Sequence, residues 1–174
     1  MSIVWHIGDT HFNHKNIGKL RRPIGITSNQ QNIEMICDDW VSSVTKRDTV
    51  FIHGDAAFDL NGYSIFLKLP GIKKLILGNH DLGNIPVGIF DRIYGCVKYH
   101  DSWLTHIPVH PFEFKARKIN FNIHAHTHME NIVDFEKRYI NVSCDYLYSL
   151  IGHFMIKHEI ILSMLSDLNR VTYV

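Results

Sequence analysis

Histidine is unusually frequent in this sequence, and much of it lies close to aspartate or asparagine. Thirteen of the 174 residues are histidine, and histidine is the commonest metal ligand among side chains. Carboxylate, amide and imidazole groups without cysteine are better suited to a site for Mn, Fe, Zn, Co or Ni than to a zinc site built from thiolates. Five segments carry these groups: Gly8-Asp9-Thr10-His11, Gly54-Asp55, Gly78-Asn79-His80-Asp81, Leu104-Thr105-His106 and His124-Ala125-His126-Thr127-His128. These residue types indicate divalent-metal chemistry.

The spacing inside the segments is suited to metal binding. Asp9 and His11 are two residues apart, so in an extended segment both side chains point the same way and can reach one ion. His126 and His128 have the same spacing and could serve one ion or two neighbouring ions. Asp55 has two carboxylate oxygens and could bridge two metals about 3.5–4 Å apart. Each signal is weak alone, because a Gly-Asp pair after a strand is usually a turn, so the hypothesis depends on their joint occurrence.

The segments in the first half of the chain each follow a predicted strand. Apolar runs predict strands at 3–7, Thr49–His53 and Lys73–Leu77, and the spacing of apolar residues predicts a helix over 33–44. Ligand-binding residues of α/β sheets lie at the carboxyl ends of strands. We therefore expect these polar groups to converge in space.

The second half of the chain contains less predicted helix. Short strands, which favour mixed or antiparallel pairing, are predicted at Val97–His100, Ser102–His106, Ile119–His124 and Tyr139–Ser143. One amphipathic helix is predicted from about Ser149 to Arg170. The elements together predict an α/β protein with two packed sheets flanked by helices, and we expect residues 1–174 to form one domain.

Composition excludes several classes of protein. The 18 basic and 17 acidic residues nearly cancel, so there is no strong sign of duplex nucleic-acid binding. Three separated cysteines without a C-x-x-C pair argue against a zinc ribbon or a disulfide framework. The N-terminus lacks the basic region of a signal peptide, and no apolar run approaches the roughly 18 residues that would span a membrane. We expect a cytoplasmic protein with no membrane partner; the sequence leaves its oligomeric state open.

The order of the motifs resembles a known family. Asp-x-His, Gly-Asp, Gly-Asn-His-Asp, a lone His and a final His-x-His resemble the signature of the calcineurin-like metallophosphoesterases, over residues 3 to about 145. The segments GDTHFNHKNI, VFIHGDAAF, LILGNHD and NIHAHTH look like its small bacterial and phage phosphoesterases. The resemblance implies a four-layer αββα sandwich of two mixed β-sheets flanked by helices. Ala125 replaces the glycine that the family has before the first of these histidines, which is tolerable unless that position needs a positive φ.

The resemblance also implies roles for individual residues. The implied metal ligands are Asp9, His11 and His128 for the first ion, Asn79, His106 and His126 for the second, and Asp55 as the bridge. His80 would lie beside the substrate phosphate as proton donor or phosphate stabiliser. Asp81 would support His80, or would orient it through a hydrogen bond.

The implied activity is hydrolysis of phosphodiesters by a metal-bound hydroxide at a dinuclear centre of divalent transition-metal ions. Nucleotide-type or other small phosphate esters are the favoured substrates, because the short chain shows no obvious capping domain. A phosphomonoesterase or protein phosphatase is the alternative enzyme. A non-catalytic metal-binding interaction scaffold is the alternative of another class.

Substrate contacts are less specified than metal ligands. His14 could touch a phosphate oxygen, and Arg22 could clamp an anionic group, although an exposed arginine beside a helix is the ordinary interpretation. Phe12, Phe58 and Tyr146 could line a base-binding wall or belong to the core. The histidines expected to be structural or on the surface are His6, His53, His100, His110, His124, His153 and His158.

Overall fold

The computed structural model describes residues 2–81, 83, 85–130 and 138–171. Its first sheet has five strands in the order β4-β3-β2-β1-β9. These are β1 (Val4–Ile7), β2 (Thr49–Ile52), β3 (Ile72–Ile76), β4 (Arg92–Tyr94) and β9 (Ile156–Lys157). The strands β1 to β4 pair in parallel, and β9 pairs antiparallel with β1.

The second sheet has four strands in the order β5-β6-β7-β8. These are β5 (Val97–Tyr99), β6 (Ser102–Leu104), β7 (Phe121–His124) and β8 (Tyr139–Asn141). The β5–β6 pair is antiparallel, and the other two pairs are parallel. The prediction of mixed pairing in the second half is therefore confirmed.

Helices cover the two sheets. They are α1 (Ile17–Leu20), α2 (Asn29–Ser43), α3 (Leu60–Ile65), α4 (Phe112–Arg117), α5 (Cys144–Ile151) and α6 (His158–Val171), with 3₁₀ turns at Arg22–Ile24 and Phe66–Lys68. No helix in the described ranges is both long enough and apolar enough to cross a membrane.

Alternate residues of the central strand β2 face two different apolar clusters. Val50 and Ile52 pack in the cluster that contains Trp40 of α2. Phe51, between them, packs in the cluster that contains Leu104 of β6. Because side chains alternate across a strand, one face of the first sheet contacts a helical layer and the other contacts the second sheet. The predicted α/β sandwich of two mixed sheets flanked by helices is confirmed.

The single C-terminal helix predicted from about Ser149 to Arg170 is wrong. Helix α5 ends at Gly152, which has a φ of 72° and donates its N–H to the Tyr148 carbonyl at 3.0 Å. Glycine ends helices in this way because it adopts left-handed φ without a Cβ clash. The apolar residues that follow form β9 on the edge of the first sheet, and α6 begins only at His158.

Candidate metal centre

The predicted ligands lie at the carboxyl ends of strands. Asp9 follows β1, Asp55 follows β2 and Asn79 follows β3, while His106 follows β6 and the pair His126 and His128 follows β7. The two sheets meet at this edge, where Gly8 forms an isolated parallel bridge with Ser143 beyond β8. The sandwich therefore brings residues from both halves of the chain to one place.

Two groups of three residues there could each hold an ion. The first group is Asp9, His11 and His128, and the second is Asp55, His106 and His126; within each group one ligand atom per residue lies within 4.8 Å of the others. Oδ2 of Asp55 lies 3.8 Å from Nε2 of His11 and 3.5 Å from Nε2 of His106. Asp55 thus faces both groups, and these groups coincide with the predicted division between two ions.

Several atoms that carry lone pairs converge on Nε2 of His106. Its Nδ1 lies 2.8 Å from the His53 carbonyl oxygen, so the ring proton is on Nδ1 and Nε2 is an acceptor. That Nε2 lies 2.9 Å from Oδ1 of Asn79, 3.1 Å from Nδ1 of His126 and 3.5 Å from the Asp55 carboxylate. Acceptors directed at acceptors repel one another unless a cation lies among them, so this set fits a metal ion.

The first group fits a metal for a related reason. Asp9 and His11 are buried, and among the described residues neither Oδ1 of Asp9 nor either ring nitrogen of His11 has a hydrogen-bond partner. Burial raises the pKa of the Asp9 carboxyl, against the lowering effect of His128 and His106. Burial, helped by Arg21, holds the pKa of His11 well below its usual range, so its imidazole is neutral. A bound cation would supply the missing partner and offset the cost of burial, which is about 1–3 kcal/mol for each unpaired group.

The backbone at these ligands is in the left-handed region. The φ angles are 54° for Asp9, 48° for His11, 50° for Asp55, 70° for His126 and 47° for His128. The expected extended segment for Asp9 and His11 is therefore wrong, and their side chains meet through two left-handed residues instead. Such residues cost roughly 1–3 kcal/mol each and persist where surrounding contacts hold them. Here those contacts include bonds from the Asp9 N–H to Gly54 O at 3.0 Å and from the His11 N–H to Asp55 O at 3.0 Å.

Glycines permit the close approach of the loops. A Cβ on Gly78 would lie 2.2 Å from Oδ1 of Asp55, and a Cβ on Gly54 would lie 2.6 Å from Nδ1 of His106. Ala125 has no positive φ, so the alanine is not strained at the position where the family has glycine. Ala125 packs against Gly8, and a Cβ added to Gly8 would lie 2.4 Å from the Cβ of Ala125.

Asp145 and Arg21 belong to the site but were missed from the sequence. Oδ2 of Asp145 lies 2.9 Å from Nδ1 of His128, so Nδ1 donates and Nε2 is left as the ligand atom. Burial alone would lower the pKa of His128, but the bond to Asp145 raises it overall. The buried Arg21 guanidinium donates to the Asp9 carbonyl and to Asn32 and lies 3.8 Å from Asp145.

Arg22, the neighbour of Arg21, is exposed at the start of a 3₁₀ turn. A substrate contact by Arg22 therefore stays a prediction. No spacing pattern in the sequence could have identified Asp145, after β8, or Arg21, in an Arg-Arg pair, as part of the site, because their partners lie elsewhere in the chain.

The Asp81 carboxylate accepts hydrogen bonds from backbone groups of neighbouring loops and not from the His80 ring. It accepts from the backbone N–H groups of Asp55 (2.8 Å), Ala56 (2.9 Å) and Gly78 (2.8 Å), and from the Tyr63 hydroxyl at 2.7 Å. The His80 ring is not among these donors, so the expected hydrogen bond that would orient His80 is wrong. Asp81 instead ties together the loops after β2 and β3 and thereby fixes Asp55.

His80 lies at the open side of the site. Its side chain is 48% exposed, and its Nε2 is 4.0 Å from Oδ2 of Asp55. Its backbone N–H donates to Oδ1 of the same carboxylate at 2.8 Å. The ring therefore stands beside the ligands with a nitrogen available to a bound molecule.

His14 and Phe58 complete the rim beside His80. The His14 ring centroid lies 5.7 Å from that of His11 and 4.4 Å from that of Phe58. Phe58 also stacks on His11 at 5.4 Å and is 38% exposed, whereas Phe12 is fully buried in the core.

No family model matches the chain. The Gene 66 protein of Mycobacterium phage L5 is 27% identical over 201 aligned positions, which cover 88% of this chain and 96% of that protein. The Gene 66 protein of Mycobacterium phage D29 is 35% identical over 86 positions, which cover 47% of this chain and 41% of that protein.

Two solved structures are similar to this one. A protein of unknown function from Aquifex aeolicus has a TM-score of 0.78 at 21% identity, covering 94% of this chain and 100% of its own. A conserved uncharacterized protein and predicted phosphoesterase from Streptococcus pneumoniae TIGR4 has a TM-score of 0.33 at 15% identity, covering 82% of this chain and 72% of its own. The first likeness supports the fold, and the second is too low to carry an argument about activity.

Proposed function

We propose that the protein is a metal-dependent phosphoric ester hydrolase that favours phosphodiesters of the nucleotide type. The observation that carries this proposal is the pair of ligand groups around Asp55, in which carboxylate, amide and imidazole ligand atoms converge. The residues that would hold two divalent transition-metal ions are Asp9, His11 and His128 on one side, Asn79, His106 and His126 on the other, and Asp55 between them.

The chemistry that such ions supply is neutralisation of phosphoryl charge and acidification of water, so that hydroxide is available near neutral pH. The chain's own residues do the rest. His80 is placed to donate a hydrogen bond to a phosphoryl oxygen or a proton to the departing ester oxygen, a role typically worth about 10²–10⁴-fold. The exposed His80 ring leaves room for an ester group on the far side of the phosphorus, which favours a diester.

The surrounding residues hold this arrangement in place. Asp81 and Tyr63 fix the loop that carries Asp55, and Asp145 fixes the ring of His128. Rigid support of this kind keeps ligands in productive geometry before an ion or substrate binds.

The test is hydrolysis of bis-p-nitrophenyl phosphate and p-nitrophenyl phosphate by the purified protein with Mn²⁺, Zn²⁺, Ni²⁺ or EDTA. We expect two bound metal equivalents by elemental analysis, cleavage that needs metal, and a preference for the diester. Faster monoester cleavage would instead support the phosphomonoesterase. Two bound metals with no cleavage of either ester would contradict an enzyme and support an interaction scaffold.

A further inference from the structure

A cleft opens beside His80, and none of the candidate metal ligands is among the described residues that line it. Its volume is about 260 Å³, and its walls include Ala57, Phe58, Leu60, Tyr63 and His80. Engineered cavities of about 150 Å³ already hold benzene. The cleft is therefore large enough for a single planar ring.

The walls of the cleft present apolar surface to solvent. Phe58 is 38% exposed and Leu60 is 61% exposed. The Phe58 ring is held by imidazoles, with its centroid 4.4 Å from that of His14 and 5.0 Å from that of His80. A fixed aromatic ring in a concave, solvent-open site is a typical feature of ligand pockets.

Charge in the cleft selects against an anion. Asp59 also lines the cleft, and its carboxylate accepts hydrogen bonds from Nδ2 of Asn13 at 2.9 Å and from the Gly62 N–H at 2.7 Å. These bonds hold the pKa of Asp59 below its usual value, so the group is ionised at neutral pH. A second phosphate or a carboxylate in the cleft would be repelled by this charge.

We infer that the cleft binds the planar, uncharged ring of the ester's leaving group, an aryl group or a nucleobase, with Phe58 and Leu60 determining specificity. This inference rests on the proposed function, since His80 belongs both to the cleft wall and to the rim of the metal ligands. The ester oxygen beside His80 would then join the phosphate at the ions to the ring in the cleft. Ring stacking on Phe58 would favour aryl esters over alkyl esters.

The test compares two probes that differ only in the ring. Phenylphosphonate and methylphosphonate are titrated calorimetrically into the Mn²⁺-loaded protein. Ring contacts of this kind are worth about fivefold in affinity, so we expect phenylphosphonate to bind about fivefold more tightly. That ratio should fall toward one in Phe58→Ala and fall less in Phe58→Leu and Leu60→Ala. Phe112→Ala and Leu67→Ala remove exposed apolar side chains that do not line the cleft, and should leave the ratio unchanged.

A second comparison tests the charge of the cleft. We expect 4-carboxyphenylphosphonate to bind more weakly than phenylphosphonate to the wild-type protein. The difference should narrow in Asp59→Asn, because asparagine still caps the first turn of α3 but carries no charge. An unchanged difference would show that Asp59 does not face the ring.

The outcomes separate the cleft from the proposed function. Equal affinity for phenylphosphonate and methylphosphonate would overturn the inference that the cleft binds a ring, and would leave the proposed metal site intact. Binding of neither phosphonate by metal-loaded protein would overturn the proposed function. In that case, saturation-transfer NMR with phenol decides the cleft by itself: transfer that is present in the wild type and absent in Phe58→Ala would support the ring site, and no transfer would reject it.

Discussion

Histidines in two neighbouring regions of this molecule have opposite surroundings. In the candidate metal centre, Nε2 of His106 faces the oxygens of Asn79 and Asp55. In the neighbouring region, His6 lies between two other histidine rings, with its Nδ1 2.9 Å from Nε2 of His53 and its Nε2 3.0 Å from Nδ1 of His158. His106 and His6 are both buried, so burial does not distinguish a candidate ligand from a structural histidine.

The direction of the buried histidine chain (His6, His53 and His158) follows from one carbonyl group. Nδ1 of His53 lies 3.0 Å from the Thr105 carbonyl oxygen and must donate to it, so Nε2 of His53 accepts from Nδ1 of His6. Nε2 of His6 then accepts from Nδ1 of His158. His53 and His6 are neutral with the proton on Nδ1, because each accepting nitrogen must be bare, and burial lowers the pKa of His158 and favours its neutral ring.

The comparison separates two uses of the same side chain. In the buried histidine chain each of the two lone pairs inside the chain meets an N–H, so no cation is needed. In the candidate metal centre, Nε2 of His106 meets carboxylate and amide oxygens as well as Nδ1 of His126. His53 joins the two regions, because its ring belongs to the chain while its carbonyl oxygen accepts from Nδ1 of His106 at 2.8 Å.

The largest effect is expected for Asp55→Asn, because this carboxylate faces both ligand groups. We expect loss of both metal equivalents and of metal-dependent cleavage, with affinity falling by more than the roughly 100-fold that loss of a supporting residue can cost. Asp101→Asn alters an exposed carboxylate and is the control. Metal content by elemental analysis is the measurement, and two retained equivalents would contradict the shared role of Asp55.

His80→Ala should separate metal binding from turnover. We expect two bound metals and an unchanged fold, with kcat lower by about 10²–10⁴-fold. His110→Ala, at an exposed histidine outside both regions, is the matched control. Unchanged kcat would remove His80 as proton donor or phosphate stabiliser.

Asp145→Asn tests the support of a ligand ring. The variant keeps the shape of the side chain but weakens its hold on Nδ1 of His128, so metal affinity should fall by about 10–100-fold. Loss of one equivalent before the other during titration with a chelator would identify the affected ion. Equal loss of both would contradict a role confined to the group of Asp9, His11 and His128.

The candidate ligands Asp9, Asp55 and Asn79 were predictable because each follows an apolar run that predicts a strand. That placement puts Asp9, Asp55 and Asn79 on one edge of a sheet whatever the detailed backbone. Asp145 and Tyr63 were not predictable, since their roles depend on contacts across 17 and 18 positions in sequence. The C-terminal helix was predicted wrongly because apolar periodicity outweighed Gly152, although glycine is a common helix stop.

In the buried histidine chain, the expected change is in the free energy of unfolding and not in metal binding or turnover. Burial lowers the pKa of His6 and of His158, and lowers that of His53 to about 3. Unfolded histidines titrate near about 6.5, so below that pH the unfolded state binds protons that the folded state does not. The free energy of unfolding should therefore fall as the pH falls below this value, by up to about 1.4 kcal/mol per pH unit for each such histidine.

The substitution His6→Phe isolates the contribution of the His6 ring to the free energy of unfolding and to its pH dependence. Phenylalanine preserves the stack on Phe51, whose ring is 5.6 Å away, but leaves His53 and His158 without their partner. We expect lower stability at neutral pH, by about 1–3 kcal/mol for each unpaired nitrogen, and a shallower acid slope in urea unfolding with EDTA. Two metal equivalents should remain bound before chelation. An unchanged slope would contradict the role of His6 in acid unfolding, and a lost metal equivalent would place His6 with the candidate ligands and abolish the distinction between the two regions.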